Sequence, residues 1–302
     1  VPENADTVIM YEHVVIENGW ATLIKNPSKG QDIHPKGSDQ KKGTVVLQKF
    51  CTISPAEIGV LAAVGKSTLK VRALPSIAIV STGNELVDVS ETPLPHQIRK
   101  SNIHTLFAAL GQEGIAPTPL HLPDEKESIR KVLQQSLQNH KVLLLSGGVS
   151  KGKYDFIPEI LSELQVEKIF HGVKQRPGKP FWFGVQKETG TVVFSFPGNP
   201  VSTFVNYTVY FRDWLKQSLG IPLAEINVAL KEEVTIKGEL TLLLRAKLHL
   251  LDGKLQASLV KENGSGDLSS LVPTDGFIVV EPDKDVYEIG EHVVFIPSRR
   301  LL

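Results

Sequence analysis

Three short runs of strand-forming residues each end in a loop of glycine and small polar side chains, and this repetition constrains the fold more than any other feature. Ile77 to Val80 leads into Ser81-Thr82-Gly83-Asn84-Glu85-Leu86, and Val142 to Leu145 into Ser146-Gly147-Gly148-Val149-Ser150. Val192 to Phe196 leads into Pro197-Gly198-Asn199-Pro200-Val201-Ser202, and the first and third loops continue into helical patterns. Strand, tight loop, helix is the geometry that turns backbone N–H groups and a positive helix end toward an anion. Three such loops in one α/β unit converge on the carboxyl edge of a parallel sheet, where open α/β sheets bind ligands. The chain is expected to hold something phosphorylated.

The rest of the 302 residues divides around that unit. Residues 1–50 read as a β-rich region, with apolar runs at Thr7–Met10, His13–Ile16, Ala21–Ile24 and Thr44–Leu47 separated by turn-rich sequence. Residues 51–70 link it to the centre through a helix with Ser54 as N-cap, Pro55 at its first position and Gly65 at its end. Residues 71–220 alternate strand and helix, which predicts a mostly parallel sheet covered on both faces. Asp124 is placed to cap a helix running through Leu137, and a long helix is predicted from Val201 to Leu219. Residues 221–302 alternate at period two between glycine turns and predict a small β-barrel or sandwich. Trp20, Trp182 and Trp214 read as core residues, Trp182 also as a candidate pocket wall.

Lys+Arg and Asp+Glu are each 33, so the formal net charge is zero. That balance argues against a chain that coats nucleic acid or an acidic membrane, while leaving room for a local basic pocket. Cys51 is the one cysteine, which excludes an intrachain disulfide and fits a reducing compartment. No apolar run approaches the length of a membrane span, and the cytoplasm is the expected location. The opening Val1-Pro2-Glu3-Asn4-Ala5-Asp6 reads like the middle of a domain, so a longer natural N-terminus is expected.

Several residues could carry chemistry. Ser146 to Ser150 can cradle a phosphate or pterin, or form a plain turn. Asp155 can be a helix N-cap, hold a divalent cation, or move a proton; the segment alone favours the cap. Arg176-Pro177-Gly178-Lys179-Pro180 sets two cations on a rigid turn, suited to an oxyanion by forked hydrogen bonds and by point charge. Thr82, Glu85 and Asn199 read equally as helix-entry and ligand-facing groups. The nine histidines show no metal-binding pair, and neither a Gly-x-Ser-x-Gly elbow nor a Walker A lysine motif is present.

Taken in order, these motifs resemble the molybdopterin molybdenumtransferase family, the MoeA and gephyrin E-domain group of molybdenum-cofactor synthesis. The resemblance rests on Pro2 through Glu12, Val80 to Val87 with Gln97-Ile98 and Ser101-Asn102, and Ser146 to Ser150 with Gly152 and Asp155. Pro177-Gly178-Lys179-Pro180, Pro197 to Ser202, Gly264-Ser265-Gly266 with Leu268, and Asp275-Gly276 extend it over nearly the whole chain. It implies a central αβα sandwich of molybdopterin-binding type between an N-terminal β-rich region and a C-terminal small β-barrel. It also implies an enzyme that takes adenylylated molybdopterin and molybdate as substrates, inserts the metal into the dithiolene and releases AMP, assisted by Mg2+. By the same resemblance, Ser146, Gly147, Gly148, Val149 and Ser150 cradle the pterin phosphate part. Thr82, Gly83, Glu85, Asn102, Pro197, Gly198 and Asn199 line the substrate pocket. Asp155 stands at the cation and the phosphoanhydride, and Lys179, Arg176, Ser202 and Arg245 meet molybdate, with Asp155 and Lys179 the catalytic pair. A homodimer is implied, with the adenylyltransferase and molybdoenzymes as transient partners.

The chain also departs from the family pattern, which usually has aspartate at Asn84, Lys100 and Lys153 and a small apolar residue at Lys151. Lysines near an anion loop favour anions and disfavour a divalent cation. Reduced or rearranged cation use is therefore one expectation, and drift at the pocket rim is the other. A molybdopterin adenylyltransferase-like or CinA-like enzyme and a non-catalytic pterin-binding scaffold are the alternative readings.

Overall fold

A computed structural model describes residues 1–148 and 156–299. The chain forms two compact units, Val1–Leu69 and Lys70–Leu302. In the first, β1 (Val14–Glu17) and β2 (Trp20–Leu23) form an antiparallel hairpin closed by Asn18 and Gly19, both at positive φ. That is the turn chemistry whose twist matches the flanking strands. Helix α1 (Pro55–Ala63) begins at a capping box in which Ser54 and Glu57 each satisfy the other's backbone N–H. Gly65 follows the helix at φ +74°.

Two expectations fail in this unit. Thr7–Met10 and Thr44–Leu47 are not strands; Val8 N–H reaches the Gln31 carbonyl at 3.0 Å, but no ladder follows. Trp20 is not a core residue either, being 79% exposed.

The second unit opens with β3 (Ile77–Thr82), the two-residue strands β4 (Leu86–Val87) and β5 (Ile98–Arg99), and helix α2 (Ser101–Gln112). Strand β6 (Thr118–Leu122), helix α3 (Lys126–Asn139), β7 (Val142–Ser146) and helix α4 (Ile157–Glu163) follow. Next come β8 (Val166–His171), the short β9 (Gln175–Arg176), β10 (Trp182–Gln186) and β11 (Thr191–Phe196). Their sheet runs β6-β3-β7-β11-β10-β8. The first four strands are parallel, and β10 is antiparallel to both neighbours.

Alternation along the central strands explains the two covered faces. Ala78, Val80, Leu143 and Leu145 pack with α3 and α4, while Ile77, Ile79, Val142 and Leu144 pack with α2 and the aromatic group Phe181, Phe194, Phe196, Tyr207 and Phe211. Trp182 is buried in the α3/α4 layer.

The predicted helix after Asn199 is present, with an interruption. Helix α5 (Pro200–Asn206) passes through a π-helical turn, Tyr207–Phe211, into α6 (Arg212–Leu219). Gly220 ends it in the left-handed region at φ +76°. Asp124 does not cap α3: Glu125 precedes that helix without a side-chain cap, and the Asp124 carboxylate accepts the Asn84 N–H instead.

The remaining strands are β12 (Ile226–Leu230), β13 (Val234–Thr235), β14 (Thr241–Leu251), β15 (Lys254–Leu259), β16 (Gly276–Val280), β17 (Val286–Tyr287) and β18 (His292–Pro297). The order β15-β12-β18-β16-β14 closes by a β14–β15 pairing into a five-stranded barrel. Strand β9 adds in parallel to Thr241 and Leu242, so the chain around Arg176 is hydrogen-bonded to the barrel. Val201 and Val205 of α5 bury against Leu243 and Phe277 of the barrel, which seats the two folds on each other. Among the described residues no helix is long and apolar enough to cross a membrane.

Phe277 is fully buried in this seam. Phe277→Ala is expected to destabilise the second unit by about 3–5 kcal/mol in urea unfolding, and Phe277→Leu by clearly less, because the cost follows the cavity left behind.

Candidate active site

Parallel neighbours β3, β7 and β11 deliver their following loops to one edge of the sheet. A cleft of about 600 Å³ opens there, lined by Thr82, Gly83, Glu85, Asn102, Ser146, Gly147, Gly148, Gly198 and Asn199 among others. The sheet therefore brings together nine of the residues expected at the substrate pocket. Val149, Ser150 and Asp155, with Lys151 and Lys153, lie outside the described residues.

Asn102 binds this edge together. Its amide nitrogen donates to Ser146 Oγ at 2.8 Å, to the Gly198 carbonyl at 2.7 Å and to Thr203 Oγ1 at 3.2 Å. Thr203 Oγ1 in turn donates to the Pro197 carbonyl at 2.6 Å. The loop after β7 needs its glycines: Gly148 has φ +72°, and an added Cβ would stand 2.6 Å from Ile157 Cγ1.

The rim of this cleft holds groups that no sequence signal marked as a set. Asn84 and Asp124 exchange hydrogen bonds, Asn84 N–H to Asp124 Oδ2 at 3.2 Å and Asp124 N–H to Asn84 Oδ1 at 3.1 Å. Arg99, Lys100 and Asp124 share the lining. Behind it, Ser81 Oγ and His121 Nδ1 are hydrogen-bonded at 3.0 Å. Burial, and then the charge of Lys100, push the His121 imidazole below its ordinary value.

A second cleft, of about 860 Å³, lies against the barrel and is lined by Arg176, Lys179, Pro197, Ser202, Arg245 and Glu262, among others. Gly198 and Asn199 line both clefts. Ser202 is buried, whereas Arg176 and Lys179 are exposed at the mouth, and neither forms an ion pair among the described residues. The Lys179 turn is fixed from below by a buried amide network. Gln175 Nε2 donates to Asn206 Oδ1 at 2.8 Å and to the Pro177 carbonyl at 2.9 Å, while Asn206 Nδ2 donates to the Gly178 carbonyl at 3.0 Å. The Tyr210 hydroxyl completes it on Gln175 Oε1. Gly178, at φ +93°, has no room for a Cβ, which would run into Asn206 Oδ1.

Arg245 occupies the cleft wall rather than its mouth. It is 4% exposed, ion-paired with Glu262, and donates to the Gly264 carbonyl at 3.2 Å and to Ser270 Oγ at 2.5 Å. The loop it holds meets the central fold directly. Ser265 Oγ accepts from Asn199 Nδ2 at 2.8 Å, and the Ser265 carbonyl accepts from Val201 N–H at 3.1 Å.

Comparison with known proteins places this architecture. Residues 78–217 match the family described as a probable molybdopterin binding domain. Residues 1–65 match the MoeA N-terminal region, domains I and II, and residues 227–298 the MoeA C-terminal region, domain IV. A molybdopterin molybdenumtransferase of Synechocystis is 36% identical over 296 residues, covering 96% of this chain and 73% of that protein. The chain belongs to the molybdopterin molybdenumtransferase family. A protein of the same name from Staphylococcus aureus is 30% identical, covering 98% of this chain and 71% of its own. The crystal structure of a molybdopterin biosynthesis MoeA protein from Pyrococcus horikoshii superposes with a TM-score of 0.79 at 30% identity, over 100% of this chain and 74% of that one. The matches to both flanking regions separate this family member from an α/β domain standing alone.

Three outcomes follow for this molybdenumtransferase family member. Gly178→Ala is expected to cost about 2–4 kcal/mol of stability from the left-handed φ and the collision with Asn206, read by thermal unfolding. Asn102→Asp replaces a donor by an acceptor facing three oxygens and is expected to cost about 2–3 kcal/mol, more than Asn102→Ser. The His121 imidazole is held below its ordinary pKa of 6.5 in the fold, so its contribution to stability is full above 6.5 and is lost as pH falls from there through the lower folded value. His121→Asn should flatten the slope of stability against pH between about pH 7 and 5, measured by urea midpoints.

Proposed function

We propose that this chain inserts molybdenum into adenylylated molybdopterin with release of AMP, the last step of molybdenum-cofactor synthesis. The observation that carries the reading is the pair of clefts joined at Gly198 and Asn199, one rich in backbone donors and the other in exposed cations. A ligand with a phosphoanhydride suits the first; a tetrahedral oxyanion suits the second.

In this reading Ser146, Gly147 and Gly148, with Val149 and Ser150, cradle the pterin phosphate part; the Gly147 N–H is bonded to the Phe196 carbonyl at 3.1 Å and fixes the start of the loop, and the Ser146 hydroxyl faces the cleft. Thr82, Gly83 and Glu85 line the pocket beside this loop, and Asn102 acts by holding the loops in register. Lys179 and Arg176 bring charge to molybdate at the mouth of the second cleft, and Ser202 offers it a hydroxyl from the floor. Arg245 contributes charge from the wall while its N–H groups position the Gly264-Ser265 loop. These are fixed donors aimed at oxygens on which charge builds, the arrangement that stabilises a transition state without reorganisation. The dithiolene chemistry is the substrate's own.

Mg2+ is expected at Asp155. There it would neutralise charge on the phosphoanhydride; among the described residues no three His, Cys, Asp or Glu side chains group as a metal site. A cytoplasmic homodimer, meeting the adenylyltransferase and recipient molybdoenzymes transiently, fits the same reading.

The test is AMP release from adenylylated molybdopterin with molybdate present or omitted. Release is expected to require molybdate, to fall about 100-fold or more in Lys179→Ala, and to be lost in Asp155→Asn. In Lys179→Ala, pterin affinity should change less than about threefold, because the lysine lines only the oxyanion cleft. Molybdate-independent release at the parental rate, or tight pterin binding without any release, would overturn the proposal.

A further inference from the structure

Among the described residues four charged side chains line the first cleft: Glu85, Arg99, Lys100 and Asp124. Two of them are already engaged. Arg99 Nε donates to the Val89 carbonyl at 3.1 Å, and Asp124 accepts the Asn84 N–H. Lys100 is placed differently. Its backbone is fixed on both sides, since its N–H donates to the Val87 carbonyl at 3.0 Å and the next residue begins α2. Its side chain is only 17% exposed, and its acidic partner among the described residues is Asp88, 3.9 Å away and itself 54% exposed. A pair that long and that wet contributes little. An ammonium withdrawn from water, weakly paired and lining a cleft of backbone donors, is set to gain a stronger partner when an anion enters.

The surroundings favour that anion over a metal ion. Lys100 stands at the N-cap of α2 without a side-chain cap bond of its own, so the positive end of that helix and the Lys100 charge act from the same wall. A divalent cation held by Glu85 and Asp124 would face the Lys100 charge across a shared cleft and be repelled by it. The field of Lys100 already reaches the interior, where it adds to burial in pushing the His121 imidazole down.

We propose that Lys100 is a resident cation for the phosphate end of the ligand in the first cleft, taking over neutralisation that a divalent metal would otherwise supply there. The inference rests on the functional reading above. Its consequence is that phosphoanhydride binding at this cleft survives chelation of metal ions and depends on the charge at position 100.

The experiment is calorimetric titration of the full chain with ADP, in magnesium and in EDTA. The parent should bind ADP in EDTA within about threefold of its affinity in magnesium. Lys100→Gln should weaken binding in EDTA by about 10- to 100-fold, the usual worth of a charge-assisted hydrogen bond, and Lys100→Arg should restore most of it. Molybdate binding, which belongs to the second cleft, should be unchanged in Lys100→Gln and marks the variant as folded. If that variant melts early, Lys100→Met keeps the packed stem and carries the same expectation.

Equal ADP affinity of Lys100→Gln and parent in EDTA overturns the role of Lys100, as does loss of parental binding in EDTA, while leaving the transferase reading intact. A parent that binds ADP in neither buffer and also fails to release AMP from adenylylated molybdopterin overturns both. Molybdate-dependent AMP release in a parent that binds no ADP overturns the Lys100 proposal alone.

Discussion

The Asn102 amide ties the loop after β7 to the loop after β11, through Ser146 Oγ on one side and the Gly198 carbonyl and Thr203 Oγ1 on the other. Sheet hydrogen bonding fixes strands only up to their ends. Beyond Ser146 and Phe196 the chain enters glycine-containing loops, where ordering each residue costs about 1–2 kcal/mol. One side chain with two N–H groups, bonded to three oxygens at the end of β7, on the loop after β11 and on α5, supplies part of that order and sets the spacing between the loops. Its place at the second position of α2 is what permits this, because the helix holds its backbone while its side chain reaches over the sheet edge.

The second cleft solves the same problem from inside the protein. The turn carrying Lys179 is exposed, yet its carbonyls at Pro177 and Gly178 are bonded to Gln175 and Asn206, both buried. A buried amide pair of this kind stabilises only when every donor has a partner, since an unpaired one costs about 1–3 kcal/mol. Here the π-helical turn after Asn206 puts Tyr210 against Gln175 and completes the set. The barrel adds a further constraint. Strand β9 joins β14, and Ser265 bonds Asn199 and Val201, so the barrel forms the far wall of the cleft that Lys179 and Arg176 flank.

Much of this was legible in the sequence because it follows from local rules. Alternation and turn residues identified β3, β7 and β11 and the Ser54 start of α1, and left the last region open between barrel and sandwich, where the resemblance pointed to the barrel. The loops that meet at the sheet edge followed from topology once the strands were known. What stayed hidden depends on partners distant along the chain. Asp124 has the composition of a helix cap, and only its approach to Asn84, 40 positions away, shows that it bonds a loop instead. The π-helical turn has no composition of its own; Tyr207 to Phe211 continue an ordinary apolar pattern, and the aromatic packing beneath them is tertiary. Trp20 illustrates the reverse error, since a large apolar side chain on a short hairpin was taken for core without a covering layer to bury it. Arg245 shows a role that the resemblance did not imply: it lines the second cleft while its N–H groups hold a loop.

A chain with zero net charge must create its anion sites by placement rather than by excess. Placement here runs through a shared wall, since Gly198 and Asn199 face both clefts. The Gly198 carbonyl is bonded to Asn102 on one side, and the Asn199 side chain to Ser265 on the other. A ligand that shifts or orders this pair from the first cleft therefore alters the donors presented to the second. Thermodynamic linkage makes the effect reciprocal for binding: whatever factor the pterin ligand applies to molybdate affinity, molybdate applies to pterin affinity. The coupling needs no movement of whole domains, because the barrel loop, α5 and the sheet edge already meet at these two residues. In the reaction proposed above the two reactants would meet at one joint of the fold, and the joint is held by the same side chains that shape each cleft.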